Sequence, residues 1–375
     1  MLRRRKQDTC GTARQNRIKK NGRRKYPAAV LAAAAVIVLY LLYAFFWRGM
    51  REPATKRSAT STKPVLYRTE KQMKRIMGLR FRTLSRKVKR SYVIPGLKAA
   101  ESLQGDFRAP VMCTSMTPQG LCVTEDYLFI TAYCHTGKHN SVVFMLDRVT
   151  GDYIKTIILG GKAHVGGAAY DPVHRNVWIS GGTGDVAKAV CYSLESLEEY
   201  DSSSHEPLAA VHNYTLASIV RSSYMTYVDG FLLVGLFRRN GRAELEWFRI
   251  AEDGGLYTKL LTSYDEQHEI VMMDYMSTTP ESIQGLAYEE PEYLFSKSYG
   301  IFDSFVRGFR TDEIETDFMI EEAFFAKRFP QKLEQICVAD GEFYCLFESA
   351  AYAYSMQPAI KIDRVLVFDL ADILS

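Results

Sequence analysis

Residues 118 to 160 read PQGLCVTEDYLFITAYCHTGKHNSVVFMLDRVTGDYIKTIILG. This stretch contains four β-rich runs, each about the length of one strand, and turn-forming residues separate them. The separators are Glu125-Asp126, a polar loop at 134 to 140, and the segment 147 to 151. Four such runs in series predict one four-stranded antiparallel sheet, which is the unit from which a β-propeller is built.

The same pattern returns four more times along the chain. The copies begin near positions 119, 165, 222, 284 and 334, so neighbouring copies are about 46 to 62 residues apart, which is the spacing of propeller blades. The pattern predicts an all-β, five-bladed propeller over residues 93 to 375. A six-bladed ring is the alternative if residues 256 to 280 contain a further hairpin. The last copy has three obvious strands, so we expect a strand from about 90 to 111 to complete it.

Three short motifs connect the repeats with known proteins. They are the Gln-Gly-Leu openings at Gln119 and Gln284, the Leu-Asp-x-x-Thr-Gly connection at 146 to 151, and Leu-Phe-Glu-Ser at 346 to 349. With them, residues 110 to 370 resemble bacterial extracytoplasmic propellers of the YncE-like, gluconolactonase-like and glutamine-cyclotransferase-like groups. The resemblance to the enzymes among these groups implies a carboxylate proton shuttle or a divalent cation such as calcium, for which Glu334 is the one suitable carboxylate among the ring positions.

The N-terminal region has the pattern of a signal-anchor. Residues 27 to 47 carry no charge, and a helix of that length spans a hydrocarbon core of roughly 30 Å. Residues 1 to 25 contain 11 Lys and Arg, and such residues stay on the cytoplasmic side. We therefore expect a single-pass protein of the cell membrane, with residues 1 to 26 in the cytoplasm and the propeller outside. A cleaved signal peptide is the alternative, but its apolar core is shorter, roughly 7 to 15 residues.

Residues 48 to 92 connect this predicted helix to the propeller. Residues 52 to 64 are rich in Pro, Ser, Thr and Ala and predict a flexible stalk. Residues 65 to 90 are basic, with apolar residues at near-helical spacing, whereas residues 99 to 375 carry 21 Lys and Arg against 40 Asp and Glu. The basic segment either contacts anionic lipid head groups or wall polymers, or docks as a helix on the acidic propeller. Nucleic acid is not an expected partner of an outward-facing, acidic domain.

The repeats also predict where a ligand would bind. Equivalent positions of the innermost strands form a ring around the central channel of a propeller, so polar residues at these positions predict an axial pocket. The predicted ligand-binding residues are Gln119, His164, Ser222, Gln284 and Glu334, with Tyr133, Ser298 and Ser349 added from the second strands. Alternatively, these groups only satisfy one another and ordered water.

No metal site is expected from the sequence. His135 and His139 lie in a glycine-containing loop without the helical motif of a zinc enzyme, and the cysteines show no metal-ligand spacing. Six of the seven cysteines follow residue 100, and we expect them to be buried thiols. If Ala339 pairs with Glu342 around the last hairpin, Cys337 lies opposite Tyr344.

The expected function is therefore that of a binding or interaction module. Its ligand would be a small polar molecule, a wall fragment or a partner protein, held in the axial pocket or at one rim. The alternative is an enzyme of lactonase, lyase or cyclotransferase type, which the absence of a nucleophile elbow and a phosphate loop makes less favoured. A third hypothesis places the function in the basic segment, with the propeller as a scaffold.

Overall fold

The computed structural model describes residues 28–104, 109–257, 268–311 and 316–375. Before the first blade come the strands β1 (Arg90–Val93), β2 (Ala100–Gln104) and β3 (Ala109–Cys113). Blade one contains β4 (Met116–Val123), β5 (Tyr127–Cys134), β6 (Val142–Asp147) and β7 (Tyr153–Ile158). Blade two contains β8 (Ala168–Asp171), β9 (Asn176–Gly181), β10 (Lys188–Ser193) and β11 (His212–Leu216), to which β15 (Ile270–Val271) adds an edge.

Blades three to five follow the same plan. Blade three contains β12 (Tyr224–Val228), β13 (Phe231–Gly235), β14 (Ala243–Arg249) and β16 (Tyr275–Thr279). Blade four contains β17 (Ile283–Glu289), β18 (Glu292–Lys297), β19 (Ser304–Arg310) and β20 (Phe325–Phe329). Blade five contains β21 (Leu333–Ala339), β22 (Glu342–Phe347) and β23 (Arg364–Asp369).

The innermost strands close a ring of five. Each of β4, β8, β12, β17 and β21 contacts the next, and β21 contacts β4 again. The five-bladed prediction is therefore confirmed. Within the described part of residues 256 to 280, β15 pairs with β11 and β16 completes blade three, so no sixth blade forms there.

The ring is closed by strands from the two ends of the propeller, as expected. β1 pairs antiparallel with β23, from Arg90 opposite Val367 to Val93 opposite Arg364, and so covers the outer edge of blade five. The closing strand is shorter than predicted, because the chain turns at Pro95 and Gly96, whose φ is +75°. β2 and β3 then form a separate two-stranded hairpin.

Glycines explain the Gln-Gly-Leu openings. A Cβ on Gly285 would lie 2.8 Å from the Cα of Gln335 on the neighbouring innermost strand, and one on Gly120 would lie 3.1 Å from the amide nitrogen of Ala168. A methyl group at either place would push two blades apart. The motif therefore marks where the innermost strands approach each other most closely.

The segment from Thr60 to β1 is hydrogen-bonded to the propeller. Ser61 is buried and its amide donates to Ala99 O at 2.8 Å, while the hydroxyl groups of Thr60 and Thr156 lie 2.9 Å apart. Further along, the amide of Leu66 donates to the carboxylate of Asp363 at 2.7 Å. The end of the predicted stalk is therefore held by hydrogen bonds of Thr60 and Ser61, whereas residues 52 to 59 form no helix or strand, and the flexibility of the stalk stays a prediction.

The basic segment forms two short helices, α2 (Glu70–Met77) and α3 (Arg82–Lys87). Thr69 caps α2 by accepting from the amide of Gln72 at 3.2 Å. The apolar side of both helices packs into the core of blades four and five through Met73, Met77, Phe81, Leu84 and Val88. The basic segment therefore docks on the propeller, which is one of the two alternatives predicted for it.

The chain divides into two units, residues 1–45 and 46–375. Helix α1 (Ala28–Met50) begins in the first unit, and its apolar side chains are exposed, for example Val36 and Leu39. Among the described residues, no helix has both the length and the apolar character that a membrane crossing requires. The predicted cytoplasmic tail at 1 to 26, including Cys10, lies outside the described residues.

The remaining helices are short. α4 (Leu194–Glu199) follows β10, and α5 (Leu370–Leu374) follows β23. The six described cysteines are free thiols, five buried and one, Cys337, half-buried. Cys337 lies opposite Tyr344, as the hairpin register predicted.

Candidate functional site

One mouth of the central channel opens into a cavity of about 760 Å³. Its wall is built where the innermost strands begin and the second strands end, because every blade runs in the same direction from the axis outward. Seven of the eight predicted ligand-binding residues line it, namely Gln119, Tyr133, His164, Ser222, Gln284, Ser298 and Glu334. The structure thus brings the predicted ring together in one place, and its role in ligand binding stays a prediction.

The eighth residue, Ser349, is not in the lining. It is fully buried behind the wall, where its hydroxyl accepts from the amide of Ile362 at 2.9 Å. Its neighbour Glu348 faces the channel instead. Successive side chains of an extended chain point to opposite sides. An alignment of the last repeat that is displaced by one residue therefore puts Ser349 in the place of Glu348.

The floor of the cavity holds two buried carboxyl groups. Glu334 and Glu348 are only 4% and 5% exposed and form a hydrogen bond with each other. One oxygen of Glu348 accepts from the side-chain amide of Gln119 at 2.9 Å, and the other lies 3.2 Å from Nζ of Lys332. We call Glu334 and Glu348 the acid pair, and these two residues together with Gln119 and Lys332 the floor of the cavity.

Burial decides the charge of this floor. Desolvation, followed by repulsion from Glu348, raises the pKa of Glu334 well above its ordinary value. Desolvation also raises the pKa of Glu348, but Lys332, Gln119 and the Glu334 hydroxyl oppose that rise. Both shifts favour a protonated carboxyl group, and the contacts that oppose the rise at Glu348 make Glu334 the better place for the proton, through which it donates a hydrogen bond to Glu348. The single negative charge is balanced by Lys332, so the floor has no net charge.

The side wall is aromatic. The rings of Tyr133 and His164 lie with centroids 4.1 Å apart, and Tyr133 Oη is 3.0 Å from Nδ1 of His135. Tyr354 completes the wall, with Nζ of Lys332 4.0 Å from its ring centroid. The side chain of His164 is open to the cavity, but protein atoms lie close around it. Desolvation by these atoms, together with repulsion from His135, lowers the pKa of His164. The wall is therefore uncharged at neutral pH.

His135 and His139 do not act together. His135 belongs to the aromatic wall, whereas His139 is buried on the other side of the same loop, near Cys134 and Glu52. The two histidines of this loop therefore lie in different surroundings.

Other lining residues were missed for different reasons. Lys332 precedes Glu334 by two positions, so strand alternation could have placed both on one side. Glu348 stands in the quoted Leu-Phe-Glu-Ser motif. Tyr354 comes from a 3-10 turn, Tyr352–Tyr354, outside the repeated strands, so no repeat position pointed to it.

A second cavity of about 440 Å³ lies at the other mouth of the channel. The buried side chain of Gln335 lines this second cavity, and its amide donates to the carbonyl groups of Met225 and Leu286 at 3.2 Å each. In the second cavity, Arg148 is already paired with Asp340 at 2.7 Å. Arg148 thus serves to hold Asp340, which lies in the β21–β22 turn. The buried acid pair of the first cavity holds no turn, so the first cavity is the better candidate for a ligand site.

No protein-family model matches the chain, and no curated protein sequence matches it. Several solved structures are similar at low identity. Hydrazine synthase of Kuenenia stuttgartiensis is 8% identical with a TM-score of 0.34, over 61% of this chain and 55% of that one. A chain of a nidogen/laminin complex is 12% identical with a TM-score of 0.36, over 73% and 89%. The Dos1 propeller is 10% identical with a TM-score of 0.31, over 62% and 56%. These likenesses concern the fold alone, and the strand pairing above establishes the propeller independently.

Proposed function

We propose that the axial cavity binds a small, polar ligand without net charge. The observation that carries the proposal is the floor, where Glu334, Glu348 and Lys332 balance one another. A charged ligand would disturb this balance, and an unpaired charge in a desolvated site is strongly unfavourable. A ligand with hydroxyl or amide groups can hydrogen-bond to the floor and pack its apolar surface on Tyr133 and Tyr354. The volume of about 760 Å³ lies in the usual range for small-ligand sites.

The proposal can be tested by thermal unfolding of the full chain with defined probes. Neutral mono- and disaccharides and capped dipeptides would be compared with charged counterparts such as glucuronate and glucosamine. A ligand at 100 times its Kd adds about 2.7 kcal/mol, which raises the Tm of a chain this large by ~4 °C. We expect shifts from neutral probes only. Shifts from charged probes alone would contradict the proposed ligand class.

A pair of matched variants connects any shift with the cavity. His164→Asn removes a ring from the aromatic wall, whereas His205→Asn changes an exposed histidine in a left-handed turn that Asn also tolerates. We expect the shift to shrink in the first variant and to persist in the second. Equal shifts in both would place the binding site elsewhere, with the propeller rim as the next region to test by crosslinking to partner proteins.

The acid pair also favours a second candidate function, acid–base catalysis. A protonated Glu334 beside an ionised Glu348 provides a general acid and a general base within one hydrogen bond. A lactonase, lyase or cyclotransferase could use this arrangement. Glu334→Gln separates the two functions, because it would abolish turnover of a bound probe but leave binding in place.

Calcium, which the enzyme resemblance implies, does not fit this floor. Calcium needs six to eight oxygen ligands, whereas Lys332 already lies beside the Glu348 carboxylate and supplies the positive charge. No step of the proposed function therefore depends on a metal ion at the acid pair.

Although no described helix has the length and apolar character of a membrane span, we further propose that the charge-free residues 27 to 47 anchor the propeller in a cell membrane, with residues 1 to 26 in the cytoplasm and the propeller outside. The support is the charge-free run at 27 to 47, the basic flank before it, and the exposed apolar side chains of α1. Extraction of membranes with alkaline carbonate tests the anchor, and protease added to intact cells tests the orientation. Release of the chain by carbonate, or protection of the propeller in intact cells, would contradict the proposal.

The outward cations of the docked helices form a second proposed contact surface. Lys71, Arg75, Arg82 and Arg86 remain exposed after docking. We propose that they meet anionic lipid head groups, with anionic wall polymers as the other candidate. The lipid contact is tested by flotation, in which the fraction of the chain that floats with vesicles containing phosphatidylserine is compared with the fraction that floats with neutral vesicles. If the four cations bind the anionic head groups, replacing all four by Gln should remove the difference between the two fractions.

A further inference from the structure

Four metal-ligand side chains converge beside blade one, away from the acid pair. They are Glu52, Cys113, Cys134 and His139, and their ligand atoms all lie within 4.8 Å of one another. Sγ of Cys134 is 3.2 Å from Oε1 of Glu52 and 3.4 Å from Nδ1 of His139. The Glu52 oxygen is 3.3 Å from His139 Nδ1 and 4.0 Å from Sγ of Cys113.

The four residues come from three separate parts of the chain. Cys134 ends β5, and His139 follows it in the next loop, which forms a bridge with Gln104 at the end of β2. Cys113 ends β3, the other arm of that hairpin. Glu52 belongs to the segment that follows α1, and Pro53 O beside it accepts from the hydroxyl of Thr114 at 2.7 Å. The β2–β3 hairpin and the loop are joined by this bridge, and the segment after α1 reaches them through the hydrogen bond of Thr114.

Four of the six distances among these ligand atoms are close to those of a tetrahedral zinc site. Zinc binds sulfur at about 2.3 Å and nitrogen or oxygen at about 2.0 to 2.2 Å, so tetrahedral ligands lie roughly 3.3 to 3.8 Å from one another. Two of the four distances above lie within that range, the third is about 0.1 Å below it, and the fourth exceeds it by about 0.2 Å. A small change of side-chain torsion would centre an ion among them.

We propose that Glu52, Cys113, Cys134 and His139 form a structural Zn²⁺ site. Two sulfur ligands, one imidazole and one carboxylate favour Zn²⁺ over Ca²⁺ or Mg²⁺, which take oxygen ligands. All four positions are filled by the protein, which is the arrangement of a structural rather than a catalytic zinc. The hydroxyl of Thr136 donates to Oε1 of Glu52 and lies 3.1 Å from Cys134 Sγ, so it orients two ligands from outside.

The site explains a group of buried polar side chains that otherwise have little reason to meet. Both cysteines and the histidine are buried, at 0%, 3% and 5% exposure. Binding would release the remaining thiol protons and join residues 52, 113, 134 and 139 into one cross-link. The ion would thereby attach the segment that follows α1 to the outside of blade one. Tyr133 and His135 flank Cys134 in sequence and line the axial cavity.

The test is the metal content of the full chain, purified without chelators and analysed by plasma mass spectrometry. We expect one zinc per chain, and loss of most of it in Cys113→Ser and His139→Ala. The matched controls are Cys191→Ser, a buried thiol of blade two, and His135→Ala, which lies in the same loop but faces the axial cavity. The controls should keep their zinc, and EDTA should lower the Tm of the unmodified chain and of the controls.

A second measurement covers the case in which the ligand variants do not fold. Titration of the zinc-free, unmodified chain with Co²⁺ should give the d–d bands of tetrahedral cobalt and a thiolate charge-transfer band at one equivalent. No zinc in the purified chain together with no such spectrum would overturn the proposal. A disulfide between Cys113 and Cys134, found by thiol counting and peptide mapping of the native chain, would overturn it as well.

Discussion

At the scale of single residues, the site depends on where one proton is held. Glu334 and Glu348 are both removed from water, and the single neighbouring lysine can balance only one negative charge. Two ionised carboxylates in contact would repel each other, so one of them keeps its proton. Gln119, which donates to Glu348, makes Glu348 the better place for the charge. Glu334 is therefore the hydrogen-bond donor of the pair.

This arrangement predicts opposite effects for two similar substitutions. The folded chain holds the Glu334 proton above the pH at which the unfolded chain, with its ordinary pKa near 4.5, has lost it. Folding stability contributed by Glu334 therefore falls as pH rises above that value. Glu334→Gln cannot ionise and still offers a donor, so its Tm relative to the unmodified chain should rise between pH 5 and pH 8. A constant difference across this range would show that Glu334 is ionised in the folded chain.

Glu348→Gln should behave differently. It removes the main counter-charge of Lys332, whose side chain is 12% exposed. Breaking a buried pair from one side costs on the order of 3 kcal/mol, which for this chain is a fall in Tm of ~4 °C. Thermal unfolding at pH 7 measures both variants together. A larger loss in Glu334→Gln than in Glu348→Gln would reverse the assignment of the proton.

The innermost glycines give a prediction about packing. Gly285→Ala places a methyl group 2.8 Å from the backbone of Gln335, and the backbone cannot move without separating blades four and five. We expect a loss of roughly 1 to 3 kcal/mol in the free energy of unfolding. Gly160→Ala is the control, because a Cβ there meets nothing within 4 Å. Equal Tm values for both variants would mean that the ring is looser than described.

At the scale of elements, local sequence patterns predicted the strands well. Alternating β-rich runs and the Asp-Gly turns defined the hairpins, and the incomplete last copy indicated a closing strand near residue 90, which β1 provides. The segment 52 to 64 has the composition of a linker, which does not show that its end is held on the propeller. What orders it is long-range, since the partners of Thr60 and Ser61 are Thr156 and Ala99. Composition does not contain such contacts.

Helices α2 and α3 illustrate how docking and charge combine. Their apolar side packs into blades four and five, and ion pairs such as Arg80 with Asp303 at 2.9 Å and Lys87 with Asp372 at 3.1 Å lie at the edge. Surface pairs of this kind contribute little each, so burial of apolar side chains provides most of the attachment.

Substitutions in this element should separate the two contributions. Met77 is fully buried against the propeller, whereas Leu79, two residues later, is 79% exposed. Met77→Ala should lower the free energy of unfolding by roughly 2 to 5 kcal/mol, and Leu79→Ala should change it by about 0.5 kcal/mol or less. Chemical denaturation of both variants measures the difference. Similar values would indicate that the helices are not packed as described.

At the scale of the whole molecule, the repeat is the reason that part of the site was predictable. Gln119, His164, Ser222, Gln284 and Glu334 all lie near the start of an innermost strand, and the ring brings these starts together at one end of the channel. Glu348, Lys332 and Tyr354 depend on register and on one turn, which the repeat does not fix. The cluster of Glu52 with Cys113 was beyond prediction, because one ligand lies outside the repeats and the residues are 61 apart in sequence.

The whole account of the ligand depends on a neutral floor in the axial cavity. Infrared difference spectroscopy measures this directly, because a protonated carboxyl group has a C=O stretching band that a carboxylate lacks. At pH 8, we predict that the unmodified chain shows such a band and that Glu334→Gln loses it. Burial raises the pKa of Glu246 to about 7, so this residue could also contribute a band of a protonated carboxyl group. The control is Glu246→Gln, which should keep the band. A spectrum at pH 8 without any protonated carboxyl group would mean that both glutamates are ionised, and the cavity would then select a cation instead of a neutral ligand.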